Sequence, residues 1–272
     1  MSELTTINEK KAAAAFSKQA SFFDELYAND TIIQYKRKRV RDQVLAHLKP
    51  SSSILELNAG TGDDAIFFAQ LGHTVHATDI SDVMQVMLKE KARLNGLQMS
   101  VSTELCSYTT LEDLSNKGPF DLTFSNFAGL NCTNELSKVL SSFDDLLKPG
   151  GFVVLVLLPK FCLWEFSLLF KGKFKTAFRR FNGSKGAKAH IEGEYFRCWY
   201  YNPSFIKKNI SSNFEVVSLE GLCTLVPPSY LQGFAEKHPT LYRRLVKMED
   251  KWKTKWPWKS IGDYYIITLR KK

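Results

Sequence analysis

The sequence predicts an α/β fold, in which a mostly parallel sheet carries helices on both faces, and three observations support it. Short apolar segments alternate with amphipathic segments of helical period between residues 53 and 158. A glycine-rich turn follows the first apolar segment, and a carboxylate, Asp79, ends the second. Because parallel strands need helical crossovers, we expect right-handed β-α-β units that bind a ligand beyond the carboxyl ends of the strands.

The period of the apolar residues predicts seven strands and the helices between them. The strands are expected at 53–57, 74–79, 99–105, 121–125, 152–158, 215–221 and 263–269. The helices are expected at 31–48, 63–70, 81–94, 135–147 and 202–210, after an amphipathic first 30 residues. Asp30 and Ser81 are suited to cap two of these helices.

Residues 1–272 are predicted to form one domain, because no linker or internal repeat interrupts them. The N-terminal helices occupy 1–50, the core of the ligand-binding fold 51–158, and the last core elements 201–222 and 261–272. Two insertions, 159–200 and 223–260, leave from the fifth and sixth strands. We expect both to form a lid over the carboxyl ends of the strands and to shape an acceptor pocket from their aromatic side chains.

Composition excludes several classes of protein. A hydrophobic fraction of 44% with 24% charged residues excludes disorder of the whole chain. No apolar run approaches the roughly 20 residues of a membrane span, and the first residues do not resemble a secretory signal. Five scattered cysteines form no C-x-x-C pair and no metal-ligand spacing. The sequence therefore predicts a cytoplasmic protein without a metal site.

The turn at residues 56–62 carries the strongest chemical signal. Gly60 and Gly62 allow a tight turn that approaches a ligand, and the helix that follows directs free N–H groups towards it. Asp79 is placed to accept hydrogen bonds from a ribose diol. The same pattern fits a nicotinamide dinucleotide, but Glu56 four residues before Gly60, and a first strand only after ~50 residues of helix, argue against that alternative.

These motifs resemble those of class I S-adenosylmethionine-dependent methyltransferases, which have a Rossmann-like fold. The resemblance covers about residues 50–160 and is closest to the small-molecule branch that includes the quinone-biosynthesis methyltransferases. The matching segments are Glu56-Leu57-Asn58-Ala59-Gly60-Thr61-Gly62, Asp79-Ile80-Ser81 with Met84, Phe120-Asp121, and Leu147-Lys148-Pro149-Gly150-Gly151. The resemblance implies S-adenosylmethionine as the cofactor and methyl transfer to a small acceptor.

The resemblance also assigns the cofactor-binding residues by position. The residues assigned to the methionine half or to the ribose–adenine half of the cofactor are Glu56, Asn58, Ala59, Gly60, Thr61, Gly62, Asp79, Ile80, Met84, Ser107, Tyr108, Asn126 and Phe127. The family usually has an Asp-Ala pair after the third strand, beside the adenine. Here that place holds Cys106-Ser107-Tyr108, so the contact to the adenine amine is assigned to Ser107 or to the backbone.

Other candidates come from the helices and insertions that flank the core. Tyr27 and Arg37 precede the sheet, where leading helices close over a cofactor and an arginine fork suits a carboxylate. The acceptor-binding candidates in the first insertion are Trp164, Tyr195, Arg197, Trp199 and Tyr200. His190 is the single candidate for a general base, and the catalytic residue is otherwise left unassigned.

Three alternative functions remain beside a small-molecule methyltransferase acting on an aromatic or lipophilic acceptor. The first is a nucleic-acid methyltransferase, prompted by the +9 charge. It is disfavoured because Ser125-Asn126-Phe127-Ala128 lacks the prolines of amino-methylating DNA enzymes and no RNA-binding module is evident. The second is an NAD(P)-dependent oxidoreductase, and the third a non-catalytic protein that binds the cofactor. The methylated atom (O, N or C) and the oligomeric state are left open.

A basic and aromatic segment in the first insertion allows two interpretations. No acid occurs between Phe166 and Ile191, whereas Phe170, Phe174, Phe178 and Phe181 recur at spacings typical of one helix face. The pattern fits an interfacial helix on an anionic membrane. The alternative, which Gly172 favours by weakening a helix, is that the phenylalanines pack on the sheet and the lysines are solvated. A second cluster, 251–259, also mixes lysines with tryptophans.

Overall fold

The computed structural model describes residues 3–181 and 185–272, with side chains described from Ile7 onward except those of 21–23 and 25–27. The strands are β1 Ser53–Leu57, β2 Thr74–Asp79, β3 Val101–Leu105, β4 Phe120–Ser125, β5 Leu147–Leu157, β6 Ala187–Ile191, β7 Glu194–Cys198, β8 Phe214–Leu222 and β9 Tyr264–Lys271. The α-helices are α1 Glu3–Ala28, α2 Thr31–Leu45, α3 Asp63–Gln70, α4 Asp82–Leu94, α5 Leu136–Leu146, α6 Leu163–Ser167, α7 Phe174–Ala177, α8 Pro203–Asn209, α9 Phe234–Lys237 and α10 Pro239–Trp252.

Seven strands form one sheet in the order β3-β2-β1-β4-β5-β9-β8, which confirms the predicted Rossmann-like architecture. The pairs among β1 to β5 are parallel, whereas β9 runs antiparallel to both of its neighbours. Strand order reverses between β1 and β4, and a crevice opens at such a point beyond the carboxyl ends of the strands.

Both faces of the sheet are covered by helices, as expected. On one face Ile54 of β1 packs with side chains of α2, α3 and α4, and on the other Leu55 packs with side chains of α5 and α8. Successive residues of a strand point to opposite faces, so strands buried on both sides must be apolar throughout. β1 departs from this rule at Glu56, which is buried on the same face as Ile54.

The structure corrects two expectations about segment boundaries. β3 begins at Val101 rather than at Met99, because Met99 lies in a turn and is 92% exposed. The predicted helix through Phe170–Phe181 is wrong. Gly172, at φ +70°, ends a 3-10 turn, and only the short α7 follows, because glycine readily adopts the left-handed backbone that terminates helical turns.

The hairpin β6–β7 was not predicted, although its sequence carries a signal. Ile191 pairs with Glu194 across the two-residue turn Glu192-Gly193, and both turn residues have positive φ. Two-residue hairpin turns with two positive φ angles match the right-handed twist of the strands and favour glycine at the second position. The hairpin packs on α1, where Phe196 contacts the ring of Phe16.

Both insertions leave from the edge of the sheet that holds the crevice. Leu157 at the end of β5 and Leu222 at the end of β8 pair with Tyr265 and Tyr264 at the start of β9. The first insertion reaches α1 through the hairpin, and the second packs against Ile32 and Tyr35 of α2. In the described ranges, no helix is long and apolar enough to span a membrane.

Glu249 of α10 organises the start of the second insertion. Its carboxylate is buried and accepts hydrogen bonds of 2.8–2.9 Å from four consecutive backbone N–H groups, those of residues 223–226. Tyr35 donates its hydroxyl to the same carboxylate over 3.0 Å, and Arg39 lies 3.7 Å from it. A buried carboxylate is tolerated only with such partners.

We therefore expect Glu249→Ala to destabilise the protein by about 3–5 kcal/mol, because it leaves a row of buried N–H groups without their acceptor and removes one of the carboxylates around the buried Arg39. Urea unfolding followed by circular dichroism measures this change. Glu215→Ala, at an exposed position of β8, is the matched control and should leave the midpoint unchanged. Equal midpoints for the two variants would contradict the assigned role of Glu249.

Candidate active site

The turn between β1 and α3 is held in a conformation that opens towards the crevice. Asn58, Gly60 and Gly62 all have positive φ, and the N–H of Gly62 donates to the carbonyl of Ala59 over 3.0 Å. A Cβ at Gly62 would lie 2.4 Å from Cγ of Leu88, whereas a Cβ at Gly60 would meet nothing within 4 Å. Gly62 is thus required for packing on α4, and Gly60 leaves open space beside the turn.

Asp79, at the end of β2, fastens this turn. Its carboxylate accepts from the N–H of Gly60 and from the N–H of Ser81, each over 2.9 Å. Burial raises the pKa of Asp79, and the hydrogen bonds from the backbone partly offset that rise. One carboxylate therefore connects the glycine-rich turn with the segment that begins α4.

Asp64, the second residue of α3, is the centre of a buried network. It lies 3.2 Å from Arg37, accepts from Nε of Arg41 over 2.7 Å, and accepts from the side-chain amide of Asn126 over 2.8 Å. Burial alone would raise the pKa of Asp64, but the charges of Arg37 and Arg41 outweigh it and hold that pKa below its ordinary value. The network joins α2, α3 and the loop after β4.

Two buried polar atoms beside this network have no partner in the described part of the chain. They are Oε2 of Glu56 and Nε of Arg37. Burial, and then the charge of Asp64, raise the pKa of Glu56 well above its ordinary value. An unpaired buried acceptor and donor are costly, so this part of the pocket is suited to a ligand that donates to Glu56 and accepts from Arg37.

The loop after β4 completes this end of the site. Asn58 donates its side-chain amide to the carbonyl of Asn126 over 3.0 Å, and Ser125 donates to Oδ1 of Asn58 over 2.6 Å. Phe127 and Ala128 both have positive φ, which is uncommon for residues with a side chain and concentrates at functional sites. The guanidinium of Arg37 lies 5.0 Å from the ring centre of Phe127.

A carboxylate from α1 enters the other end of the site. Glu9 accepts from the hydroxyl of Ser107 over 2.6 Å and from that of Thr109 over 3.1 Å, both in the loop after β3. Burial raises the pKa of Glu9, and the hydroxyl donors partly offset the rise. The acid that the sequence lacks after β3 is therefore supplied by the N-terminal helix.

These residues enclose a pocket of about 850 Å³ including its mouth. Twelve of the sequence-predicted cofactor residues line it: Arg37, Glu56, Asn58, Ala59, Gly60, Thr61, Asp79, Ile80, Met84, Tyr108, Asn126 and Phe127. Gly62 and Ser107 do not line the pocket. Gly62 packs on Leu88, and Ser107 donates a hydrogen bond to Glu9. The side chain of Tyr27 lies outside the described residues.

The predicted acceptor residues do not line this pocket. Tyr195, Arg197 and Trp199 line a second groove along a different face of α1, together with Lys11 and Lys188. Trp164 is half-buried, and Tyr200 lies against the guanidinium of Arg180, 5.2 Å from its ring centre. Tyr195 and Arg197 do not reach this pocket because their hairpin packs against α1, and it is α1 that faces the pocket.

His190 does not line this pocket. It lies on β6, exposed, with its ring centre 4.3 Å from that of Tyr195. The segment around it is a hairpin that packs on α1 rather than the expected loop over the crevice. The assignment of His190 as a base therefore stays a prediction without support from this pocket.

Two site residues, Glu9 and Asp64, were missed by sequence reasoning. Asp64 had a signal, because a carboxylate in the first turn of a helix that follows a glycine-rich turn is directed at the same crevice. Glu9 had none, since its contact with Ser107 joins residues 98 positions apart. Besides Glu9, α1 contributes Ala12, Ala13 and Phe16 to the lining of the pocket.

In the described ranges, one group of three side chains brings metal-ligating atoms within 4.8 Å of one another: Cys162, Glu165 and Asp263. Arg180 donates to Glu165 and to Asp263 over 2.6 Å, so the carboxylates hold a guanidinium. Burial raises the pKa of the Cys162 thiol to about 12. The cluster therefore acts as a structural ion pair at the base of the first insertion.

Comparison with known proteins adds an independent line of evidence. Residues 54–151, from β1 to the beginning of β5, match a family model described as a methyltransferase domain. Malonyl-(acyl-carrier protein) O-methyltransferase of Buchnera aphidicola subsp. Baizongia pistaciae (strain Bp) is 29% identical over 168 residues, which are 61% of this chain and 61% of that protein. The chain thus spans less than two thirds of the length of that relative.

Solved structures share the fold at low sequence identity. The (4+2)-cyclase SpnF has a TM-score of 0.62 at 16% identity, with 97% of both chains covered. The 1,6-didemethyltoxoflavin-N1-methyltransferase of Burkholderia thailandensis, solved with 1,6-didemethyltoxoflavin and S-adenosylhomocysteine, has a TM-score of 0.59 at 14% identity, covering 100% of this chain and 92% of that one. The matched region, residues 54–151, spans the strands and turns that build this pocket, so this part of the chain carries a methyltransferase domain.

Proposed function

We propose that this protein transfers a methyl group from S-adenosylmethionine to a small aromatic or lipophilic acceptor. The observation that carries the proposal is the distribution of polar groups along one pocket. At one end of the pocket, Oε2 of Glu56 and Nε of Arg37 have no hydrogen-bond partner in the described part of the chain, and Asp79 lies towards the other end. An amino acid joined to a ribose carries an ammonium group and a carboxylate at one end and a diol at the other, which match these three side chains.

The residues present fit that cofactor. Glu56 would accept from the ammonium group, Arg37 would donate to the carboxylate, and Asp79 would accept from the ribose hydroxyls. The open side of Gly60 gives the backbone room for close approach. The cofactor supplies an electrophilic methyl group on a sulfonium, so the protein has to orient it and keep water away.

Glu9 would accept a hydrogen bond from the adenine amine. It lies against Ser107, at the position after β3 where the family places its acid, and lines the same pocket as Ile80 and Met84. A carboxylate accepts but does not donate, so it favours an amine over a carbonyl at that edge of the purine. This assignment replaces the expected contact from Ser107.

The lining of the pocket supports an apolar acceptor. Beyond the polar groups assigned above, its walls are formed by the rings or aliphatic groups of Phe16, Phe127, Ala12 and Ala13 and by Cys132. Apolar walls with few polar groups are typical of small-molecule sites. Methyl transfer mainly requires that the acceptor atom be held in line with the methyl group, and these walls would hold it there.

The fold by itself does not determine the reaction, because the cyclase SpnF shares it over 97% of both chains. The direct test is therefore methyl transfer. Incubation with S-adenosylmethionine labelled in the methyl group should yield a labelled small molecule from a metabolite extract and a matching amount of S-adenosylhomocysteine. Binding without any transfer would favour the non-catalytic alternative, and label in RNA or protein would favour a macromolecular acceptor.

The assignment of Asp79 predicts weaker cofactor binding in Asp79→Ala. Loss of a charged acceptor for the ribose hydroxyls costs about 1.5–3 kcal/mol, which weakens binding of S-adenosylhomocysteine about ten- to a hundredfold. Isothermal titration calorimetry measures the affinity. Asp82→Ala, at an exposed carboxylate in the next helical turn, should bind normally. Near-native affinity of a folded Asp79→Ala protein would contradict the assignment.

The assignment of Glu9 predicts a change in base preference. The protein should bind S-adenosylhomocysteine more tightly than S-inosylhomocysteine, in which a carbonyl replaces the adenine amine. Glu9→Gln offers a donor to that carbonyl and should reduce the preference about tenfold, the value of a hydrogen bond to a charged group. A ratio of affinities that stays unchanged in this variant would exclude Glu9 from contact with the base.

The raised pKa of Glu56 predicts a dependence of binding on pH. In the free protein the carboxyl of Glu56 stays protonated up to a pH above that at which a glutamate usually ionises. An ammonium partner favours the ionised form. Binding should therefore release a proton, and affinity for S-adenosylhomocysteine should increase as pH rises towards the raised pKa. Calorimetry in buffers of different ionisation enthalpy measures the proton. Glu56→Gln should abolish the release; release that persists would place its source elsewhere.

A further inference from the structure

The first insertion carries an exposed aromatic surface, the phenylalanine patch, which consists of Phe170, Phe174, Phe178 and Phe181. The four side chains are 92%, 62%, 50% and 53% exposed, respectively. The expectation that they pack on the sheet is therefore wrong. Clustered exposed rings of this kind mark an interaction surface, since single exposed apolar residues are common but groups of them are not.

Two rings of the patch are supported by other rings of the insertion. The ring centres of Phe178 and Phe181 are 6.0 Å apart, and these two rings rest on Phe166 and Phe161, with centres 6.3 and 6.5 Å away. Phe170 lies in the 3-10 turn that Gly172 ends, and is the most exposed of the four. Inner rings thus support outer rings that project into solvent.

Positive charge surrounds the patch. Lys171, Lys173 and Lys175 are exposed, and in the described part of the chain none has an acidic partner within 4.0 Å. No acid occurs between Phe166 and Ile191. Arg180, which the sequence counted among these charges, is buried in its ion pairs, and Arg179 is bound to Glu165. Within the described residues, Lys171, Lys173 and Lys175 thus place unpaired positive charge between the phenylalanines of the patch.

The base of the insertion is firmly attached to the sheet. Glu165 accepts from both Arg179 and Arg180 over 2.6 Å, and Arg180 also donates to Asp263 just before β9. Glu165 precedes the patch in sequence, and the two arginines lie within it, between Phe178 and Phe181. The patch is therefore presented at a fixed position, at the edge of the sheet where β5 and β9 meet the crevice.

We propose that the phenylalanine patch docks the protein on an anionic lipid bilayer. Exposed aromatic groups enter the acyl boundary of a fluid bilayer without a preformed complementary shape, while neighbouring lysines contact anionic headgroups. A protein partner would need a surface shaped to fit these rings, whereas a fluid bilayer adapts to them. This docking goes beyond the proposed methyl transfer and does not depend on it.

Sedimentation with vesicles tests the proposal without any measurement of enzyme activity. The protein should bind vesicles of phosphatidylcholine mixed with phosphatidylglycerol at low salt, bind less at high salt, and bind pure phosphatidylcholine more weakly. Phe170→Ser combined with Phe174→Ser should weaken binding about tenfold or more. Combining Lys171→Glu, Lys173→Glu and Lys175→Glu should weaken it about a hundredfold, at about fivefold for each cation lost.

The matched control replaces exposed apolar residues elsewhere. Val86 and Met99 are 66% and 92% exposed, on α4 and before β3, and Val86→Ser with Met99→Ser should leave vesicle binding unchanged. Thermal unfolding verifies that every variant is folded. Absence of binding to the mixed vesicles at low salt would overturn the proposal, as would equal binding by the phenylalanine variant. A dimer in sedimentation velocity that the phenylalanine variant alone loses, without vesicle binding, would assign the patch to a second copy instead.

Discussion

The buried carboxylate of Asp64 is the interaction on which the site depends. It is positioned by the first turn of α3, and it binds two arginines of α2 and the amide of Asn126 after β4. A buried carboxylate without cations would be neutral or would unfold its surroundings. Because Arg37 and Arg41 keep it charged, three separate segments of chain converge on one point of the crevice.

The charge of Asp64 also determines the state of its neighbour. Glu56 lies on the same face of the sheet, and two carboxylates close together in a buried place cannot both be ionised at low cost. The charges of Arg37 and Arg41 lower the pKa of Asp64, whereas burial and the charge of Asp64 raise the pKa of Glu56. A cationic group beside Glu56 would favour its ionised form.

The two insertions act on the pocket through the N-terminal helices. The hairpin β6–β7 packs on α1, and residues around Val226 pack on α2. Each insertion is anchored by a buried arginine between acids: Arg180 with Glu165 and Asp263, and Arg39 with Glu220 and Glu249. The insertions therefore brace the helices that cover the site, rather than lining the site as a lid would.

Sequence patterns were sufficient to predict the sheet, the glycine-rich turn and most of the residues that line the pocket. These features depend on local rules, since apolar period, turn glycines and a carboxylate at a strand end lie within about 25 residues of one another. Three features could be read only from the folded chain: the contact of Glu9 with Ser107, the packing of the hairpin with His190 on α1, and the exposure of the phenylalanine patch. Each of these depends on how a helix or hairpin is oriented against a distant segment, and side-chain packing over such separations leaves no periodic trace in the sequence.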